Sequence, residues 1–549
     1  MKRALSALFL VACAAGLAHA QVDRATLSGT VKDSTGAVIP NGTIVLTNLD
    51  SNVTTRISTT SEGAYLAVNL APGRYRVEAE AAGFQKSGQA VILEVGQRAR
   101  LDITLGVGGV AEEVTVQDAT PLLNTEQAAL GTVIDQSAVS KLPLAIRNWD
   151  DLLVLVAGVQ GDRYTEESGG TSAGRTGGVN VHGNRSLQNN FLLDGVDNNT
   201  ISTNVQELTT QVSRPSIDSI QEFKVVTSPY SAEYGRSPGA AISVTTKSGT
   251  NAFHGTVYDF YRNDRYDSNT FFAKRAGAQK PTNDQNQFGA NLGGPLWKDK
   301  AFFFVDYERT RITKGVTRLT RVPTMAERQG IFSGTVRDPL TGQPFPGNRI
   351  PANRIDPVAA AIFDLLPEPN QPGTNNFFRQ PDVIDDGDRV LGRVDLRLSS
   401  NDSVFGRYIY TDRSRSLPGA FGGVIDGTGT SAFGDQDMTS HGLVLGWTRI
   451  FSPTVVNEFR FSWARTRSDA VQQPFGQLPP PAARVPGVPD DPRVNGGIAG
   501  IIIDGYFGGG GLGRIGSPDF LPKFQRTDQF EYLNTLSWLK GNHQLKFGV

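Results

Sequence analysis

The chain has 549 residues, and its 53 lysines and arginines nearly balance its 54 aspartates and glutamates. A formal charge near zero gives no support for binding nucleic acid or for electrostatic docking on an anionic membrane surface. No apolar run reaches the roughly 18 residues that a membrane-spanning helix needs. Any passage through a membrane must therefore use strands, and the 61 glycines suit the turns and irregular loops that strands require.

Residues 1–20 have the pattern of a secretory signal peptide, with two basic residues, an apolar core at 4–17 and an Ala-x-Ala site ending at Ala20. A second interpretation stays open, because 10–13 (Leu-Val-Ala-Cys) also fits a lipoprotein cleavage site that places a lipid on Cys13. The short apolar core of that alternative favours cleavage after Ala20. Such cleavage removes the single cysteine of the chain, which excludes disulfides, thiolate catalysis and cysteine-ligated metals.

Residues 22–106 alternate short strand patterns with turn clusters rich in glycine, which predicts a small β-sandwich. The strand patterns fall at 27–32, 43–48, 65–69, 75–79 and 90–93. The text LSGTVKDSTGAVIPNGTIVLTN, followed by TTSEGAYLAVNLAPGRYRVEAEAAGF, resembles the carboxypeptidase regulatory-like (transthyretin-like) domains. That resemblance implies contact with glycans or peptides or, more simply, a structural spacer in the periplasm. It implies no peptidase activity, because the dispersed histidines form no zinc motif.

Residues 119–250 combine strand and helix patterns, which predicts an α/β domain. The strand patterns fall at 179–183, 191–193, 220–226 and 241–246. A helix is predicted over 142–159, ending near Gly158. Its apolar face consists of Trp149, Leu152, Leu153 and Val156.

Two motifs in this domain resemble the plug of TonB-dependent receptors. The text VNVHGNRSLQNNFLLDGVDNN is similar to a plug motif in which a strand leads to an Arg-Gly turn and then to Leu-x-Asp-Gly-Val. This chain has His182-Gly183 at the turn and Asp194-Gly195 in the second element. The text SIQEFKVVTSPYSAEYGRSPGAAISVTTKSG resembles the closing segment of the plug and contains Tyr234-Gly235.

The acidic and amide side chains that follow this motif allow two interpretations. Asp194, Asp197, Asn198 and Asn199 offer the oxygen ligands that Ca²⁺ prefers. The twelve-residue loop pattern of an EF-hand is not present, and Asp-Gly and Asn-Asn pairs commonly form turns. The sequence therefore favours turn formation, and we expect no bound metal.

Residues 251–549 contain nine strand patterns, joined by connections that are alternately long and short. The patterns fall at 252–263, 284–294, 301–311, 389–399, 402–412, 439–451, 454–467, 527–539 and 543–549. Short turns at one end and long loops at the other are typical of an outer-membrane β-barrel. About 10 alternating residues at roughly 3.3 Å each, tilted by roughly 45°, match the apolar band of such barrels. The sequence predicts the first part of an antiparallel transmembrane barrel.

The inner faces of these predicted strands carry arginines. The candidates that we expect to face the lumen are Arg393, Arg397, Arg407 and Arg460. Two interpretations stay open: the arginines favour anionic solutes, or they pair with the plug. Lumenal charge is common in water-filled barrels.

The sandwich, the plug and the text NQFGANLGGPLWKDKAFFFVDYERTR together resemble Oar-like TonB-dependent receptors. The predicted fold class is mainly β: a transthyretin-like β-sandwich, an α/β plug domain and about nine strands of an antiparallel transmembrane barrel. The resemblance implies a plugged barrel of roughly 22 strands. Nine strands leave two unpaired edges in lipid, so we expect the chain to be part of a longer product.

The resemblance also implies a periplasmic TonB-type partner that pulls on a short extended segment before the plug. The candidate is Glu112-Glu113-Val114-Thr115-Val116, within the linker 107–118. Its β-branched, alternating residues are suited to adding a strand to the edge of a partner's sheet. The alternative is that this segment is simply the first strand of the plug.

The resulting functional hypothesis is an outer-membrane receptor and transporter without enzymatic activity or a cofactor. The ligand is open among siderophores, glycans, peptides and proteins, and so is the presence of a lipoprotein cap. A surface adhesin or glycan-binding protein without energised transport is the main alternative, and a passive or export channel is another. We find no arrangement of residues that indicates catalysis.

Overall fold

A computed structural model describes residues 24–108, 120–121, 129–142, 144, 147–161, 179–184, 188–201, 211–228, 232–235, 238–269, 271–275, 279–426, 434–503, 515–517, 521–541 and 543–549. The predicted signal peptide, Cys13 and the coupling segment Glu112–Val116 lie outside these residues. The fold is mainly β, with 52% strand and 11% helix, as the sequence predicts.

The N-terminal module is a sandwich of two sheets. Its strands are β1 (Ala25–Asp33), β2 (Thr43–Asn48), β3 (Thr54–Ser58), β4 (Ala64–Leu70), β5 (Gly73–Glu80), β6 (Ser87–Leu93), β7 (Arg98–Arg100) and β8 (Ile103–Leu105). In one sheet β1 lies beside β4, β7 and β8; in the other the order is β3-β2-β5-β6, and β9 (Thr120–Pro121) pairs with the edge strand β6. Alternate residues such as Leu27, Ile44, Val77 and Leu93 fill the core between the sheets. The predicted sandwich is confirmed.

The plug domain is built around one mixed sheet of order β10-β15-β16-β13-β14. Its strands are β10 (Leu130–Ile134), β11 (Val159–Gly161), β12 (Val179–Val181), β13 (Asn190–Leu193), β14 (Val196–Asp197), β15 (Ile220–Ser228) and β16 (Ala241–Thr246). β11 and β12 form a separate two-stranded sheet. Trp149 is fully buried, with edge contacts to Phe191 and Phe223 at centroid distances of 6.2 and 5.1 Å.

The helix predicted over 142–159 is wrong in length and type. Among the described residues of 142–159, the helical element is the 3-10 helix Trp149–Leu155, followed by Gly158 with a φ of 82°. The chain then enters β11, because Val159 pairs with Val181 of β12. The four residues of the predicted apolar face are nevertheless buried, each at most 4% exposed.

The barrel region is one nine-stranded antiparallel meander. Its strands are β17 (His254–Asn263), β18 (Asn283–Trp297), β19 (Ala301–Gly315), β22 (Asp382–Arg397), β23 (Asp402–Leu417), β24 (Gly434–Ser452), β25 (Val455–Val471), β26 (Lys523–Lys540) and β27 (His543–Gly548). The short strands β20 (Arg318–Thr320) and β21 (Phe377–Arg379) pair within the long connection after β19. All nine predicted strands are confirmed, and most extend further than predicted.

The two faces of this sheet alternate as the sequence predicts. On β25, Phe459 and Trp463 face outward while Val456 and Arg460 face inward and are buried. Exposed outward residues on neighbouring strands form an apolar surface that includes Val305, Val390, Leu445, Phe530 and Tyr532. The short turns lie at one end of the sheet, which is the periplasmic end in such barrels.

The long connections gather at the opposite end of the sheet and share a small apolar core. Ile362, Phe377, Phe421 and Ile498 contribute to it from three different connections.

Among the helices are Gln136–Lys141, Phe271–Arg275, Met325–Arg328 and Pro357–Leu365, with short 3-10 turns such as Ile217–Ser219, Asp264–Tyr266 and Gly423–Ile425. Within the described ranges, no helix has the length and apolar character needed to cross a membrane.

Candidate functional site

The Asp-Gly motif of the plug forms a two-residue hairpin turn between β13 and β14. Asp194 and Gly195 have φ values of 52° and 75°, and Leu193 pairs with Val196 across the turn. Two successive positive φ values are what a type I′ turn requires, and Asp-Gly is among the preferred sequences for it. The turn prediction is confirmed.

This hairpin, which we call the plug hairpin (residues 193–196), presents a buried carboxylate to the inner wall of the sheet. Asp194 Oδ1 lies 3.0 Å from Arg393 Nη1, and Asp194 Oδ2 lies 3.0 Å from Arg407 Nε. The Thr246 amide and hydroxyl also donate to Asp194, at 2.9 and 3.0 Å. These three charged side chains are at most 3% exposed. Such a pair is retained only when hydrogen bonds compensate for the cost of desolvation.

A third arginine completes the contact. Arg460 Nη1 donates to the Gly195 carbonyl oxygen at 3.2 Å. Three of the four candidate lumen arginines therefore converge on one plug hairpin from β22, β23 and β25. The fourth, Arg397, lies apart from them and donates to Thr55 of the N-terminal module at 3.4 Å and to the Ser400 carbonyl. Of the two interpretations left open, the observed contacts correspond to pairing within the protein.

Further contacts tie the plug to other barrel strands. Ser216 Oγ donates to Asp306 on β19 at 2.6 Å, and the Asp197 amide donates to Glu531 on β26 at 2.9 Å. The Arg147 guanidinium lies 4.0 Å from the ring centroid of Phe260 on β17. The plug is thus held by polar and cation–π contacts spread across the sheet, with the plug hairpin at the most deeply buried point.

The other motif residues of the plug have structural roles of their own. His182 and Gly183 form a second left-handed turn, with φ values of 48° and 79°, and the Asn184 amide donates to the Val181 carbonyl at 2.9 Å. This turn follows β12, in the sheet separate from the plug hairpin. Histidine is among the few side chains that tolerate this conformation.

The second predicted motif lies against the start of β13. The Gly235 carbonyl, next to Tyr234, accepts a bond from Asn190 Nδ2 at 3.2 Å. Asn190 in turn bonds Asn199, which also donates to Asp197 at 2.7 Å. The amide and acidic residues after the plug hairpin therefore bond one another and the backbone, as the turn interpretation predicts.

Sequence reasoning missed a second carboxylate that pairs with Arg393, on the barrel side. Asp395, two residues after Arg393 on the same face of β22, accepts from Arg393 Nε at 2.8 Å and from Ser248 Oγ at 2.7 Å. Arg24 of the N-terminal module lies 3.8 Å from the same carboxylate. The signal was the alternation Arg393, Asp395, Arg397 on the inner face, where opposite charges at i and i+2 lie side by side.

Comparison with known families agrees with this geometry. Residues 245–549, more than half of the chain, match the family model "Outer membrane beta barrel domain". Residues 26–106 match "Carboxypeptidase regulatory-like domain", and residues 125–242 match "TonB-dependent Receptor Plug Domain". The chain belongs to the TonB-dependent receptors. It is an outer-membrane β-barrel protein with its N-terminal module on the periplasmic side.

Among individual relatives, the receptor is 28% identical over 315 residues to the TonB-dependent transporter Oar of Myxococcus xanthus, covering 54% of this chain and 28% of Oar. The outer membrane transporter YddB of Escherichia coli aligns with a TM-score of 0.47 at 15% identity. The siderophore receptor PirA of Acinetobacter baumannii aligns with a TM-score of 0.44 at 13% identity. Both alignments cover 76% of this chain and 47% of the solved structure, so the chain spans about half their length.

Proposed function

We propose that this receptor takes up a ligand through the outer membrane, that the plug gates the passage, and that a periplasmic TonB-type protein supplies the energy. The observation that carries the proposal is the buried Asp194–Arg393–Arg407 cluster. It holds the plug hairpin against the inner wall of the sheet. A plug held by a few defined bonds is closed at rest and can be released by a directed pull.

The pull is assigned to the linker 107–118, with Glu112-Glu113-Val114-Thr115-Val116 as the coupling segment. Its alternating β-branched residues favour addition to the edge of a partner sheet. Siderophores, glycans, peptides and proteins all remain candidate ligands. The long connections that share a core at the outer end of the sheet are the proposed ligand-binding surface. The relatives are described as transporters and receptors, which supports a role without enzymatic catalysis.

The test measures binding of the purified C-terminal domain of TonB from the same bacterium to the full-length receptor in detergent. Val114→Pro removes a backbone donor and is expected to weaken binding at least tenfold, about 1.4 kcal/mol. Val110→Pro, outside the coupling segment, is the matched control and is expected to bind like the wild type. Equal binding by both variants contradicts the assignment of the segment, and no binding by the wild type contradicts the coupled function.

A further inference from the structure

The N-terminal module is in contact with both the plug and the barrel. On the plug side, the Val95 amide bonds the Glu222 carboxylate, and Lys224 Nζ donates to the Gly96 carbonyl at 3.1 Å. Glu222 and Lys224 are only 8% and 6% exposed. Burying two ionisable side chains is costly unless hydrogen-bond partners hold them, so the module and the plug are complementary at this surface.

A bridging ion pair joins all three parts of the molecule. Glu233 of the plug accepts from Arg98 of the module and from Lys546 of β27, the latter at 2.6 Å. A second chain of charges runs from Arg24 of the module through Asp395 and Arg393 to Asp194 of the plug hairpin. The module is thereby linked to the same arginine that holds the plug.

The contacts on the barrel lie at its periplasmic end. Arg397, Thr448 and Leu539 are each a few residues from a short turn, and each contacts the module: Arg397 bonds Thr55, Thr448 bonds Asn69, and Leu539 packs with Ala64 and Leu66. At the junction between plug and barrel, the Asn251 amide donates to the Asp50 carbonyl at 3.3 Å, and Asn251 Nδ2 donates to the Ser51 carbonyl at 2.5 Å. The module covers the periplasmic mouth of the sheet.

We propose that the N-terminal module is a periplasmic cap, which docks on the plug and on the mouth of the barrel and must leave before the plug can be remodelled. A spacer that only tethers two folded parts has no need of buried charged contacts. The cap, by contrast, shares Arg393 with the plug through Asp395, so its departure removes one support of the plug hairpin.

The position of the linker explains how one pull by a TonB-type partner acts on both the module and the plug. This part of the proposal rests on the proposed function. The linker 107–118 leaves the module at β8, which pairs with β1. It re-enters at β9, where Thr120 and Pro121 pair in parallel with Val91 and Ile92 on the edge strand β6. Tension on the linker therefore acts directly on the module. It separates β9 from β6 before the force is transmitted to the plug.

The test uses cysteine cross-linking of the full-length receptor in outer membranes, in a background with the signal sequence cleaved after Ala20. The pair Asp50→Cys and Asn251→Cys is joined by a backbone hydrogen bond, which places the two residues within disulfide range. The matched control pairs Asn251→Cys with Ala82→Cys, an exposed position beyond the opposite end of the β2–β5 ladder. A second test pair, Ser51→Cys with Asn251→Cys, repeats the measurement if the first fails to fold.

A docked cap is expected to form the disulfide at least tenfold faster than the control pair, measured by gel mobility without reductant. Equal rates for test and control pairs overturn the docking. In energised cells, the cross-linked fraction is expected to fall by half or more relative to cells treated with a protonophore. A fraction that does not change overturns the gating role. If TonB binding is absent but the cross-link forms, the proposed function fails and the docking stands.

Discussion

Arginine–carboxylate pairs occur both on the inner wall of the barrel sheet and on its outward face, in very different settings. Inside, Asp194 with Arg393 and Arg407 is almost fully buried. Outside, Arg465 and Asp528 lie 2.7 Å apart on β25 and β26, yet their side chains are 56% and 40% exposed. Short distances between charged atoms therefore occur in both regions. The difference is burial: a buried pair can hold the plug to the barrel sheet, whereas an exposed pair contributes little to stability.

We expect the largest loss of stability when the buried Asp194–Arg393–Arg407 cluster is changed. Asp194→Asn keeps the turn, because Asn-Gly also suits type I′, but it removes the buried carboxylate that Arg393 and Arg407 share. Arg393 keeps its contact with Asp395. We expect the free energy of unfolding to fall by about 3–5 kcal/mol. The measurement is urea unfolding of the full-length receptor in detergent, followed by the fluorescence of its tryptophans. A loss below about 1 kcal/mol would place this pair with the exposed ones.

The surface between cap and plug gives an intermediate case, in which burial changes the charge itself. Burial raises the pKa of Glu222 to about 8, with smaller contributions from Glu94 and Asp135 in the same direction, while the Val95 amide and Lys224 oppose it. Burial lowers the pKa of Lys224, and Arg98 adds to that shift. The folded receptor therefore binds the Glu222 proton more tightly than the unfolded chain does.

Because that pKa is raised, the contribution of neutral Glu222 to stability is fully present below its ordinary pKa near 4.5 and is lost as the pH rises towards about 8. Between pH 6 and pH 8 we expect a fall of about 2 kcal/mol from this group, at 1.36 kcal/mol per pH unit. Glu222→Gln should remove that fall. Urea unfolding of the wild type and of Glu222→Gln is measured at both pH values, so that the effects of other titrating groups cancel. If both proteins lose the same free energy of unfolding between pH 6 and pH 8, Glu222 is not the source of the pH dependence.

The sequence predicted the barrel sheet well because one physical rule, alternation between lipid and lumen, governs every strand. The nine strands were found, but the outer ends of six of them, β19 and β22–β26, extend beyond the predicted ranges. On β22 the outward residues change from Val390 to Asp388 and Asp386, where the strand continues but the run of apolar residues is interrupted. Periodicity of apolar residues identifies the part of a strand that faces lipid, and it gives no information where the same strand extends into water.

Only part of the candidate site could be predicted from the sequence. The turn at Asp194 follows from local conformational preference, and the inward direction of Arg393 follows from alternation. Their contact joins residues 199 positions apart, and no local pattern fixes such a pairing. The same holds for the cap, since Arg24 meets Asp395, and Arg98 meets Glu233, only when the cap, the plug and the barrel sheet are in place. The shortened helix at Trp149 is a case in which strand pairing overrode a helical pattern.

The exposed pair on the outward face supplies the smallest expected effect and the control for the comparison. Asp528→Asn removes the negative charge beside Arg465 and Trp463 Nε1 but keeps an acceptor oxygen, and solvent replaces what is lost. We expect a change of about 0–1 kcal/mol in the free energy of unfolding, measured as for Asp194→Asn. Added salt should reduce even this difference, because exposed charges are screened while the buried cluster is not. A loss as large as that of Asp194→Asn would show that burial does not separate the two regions.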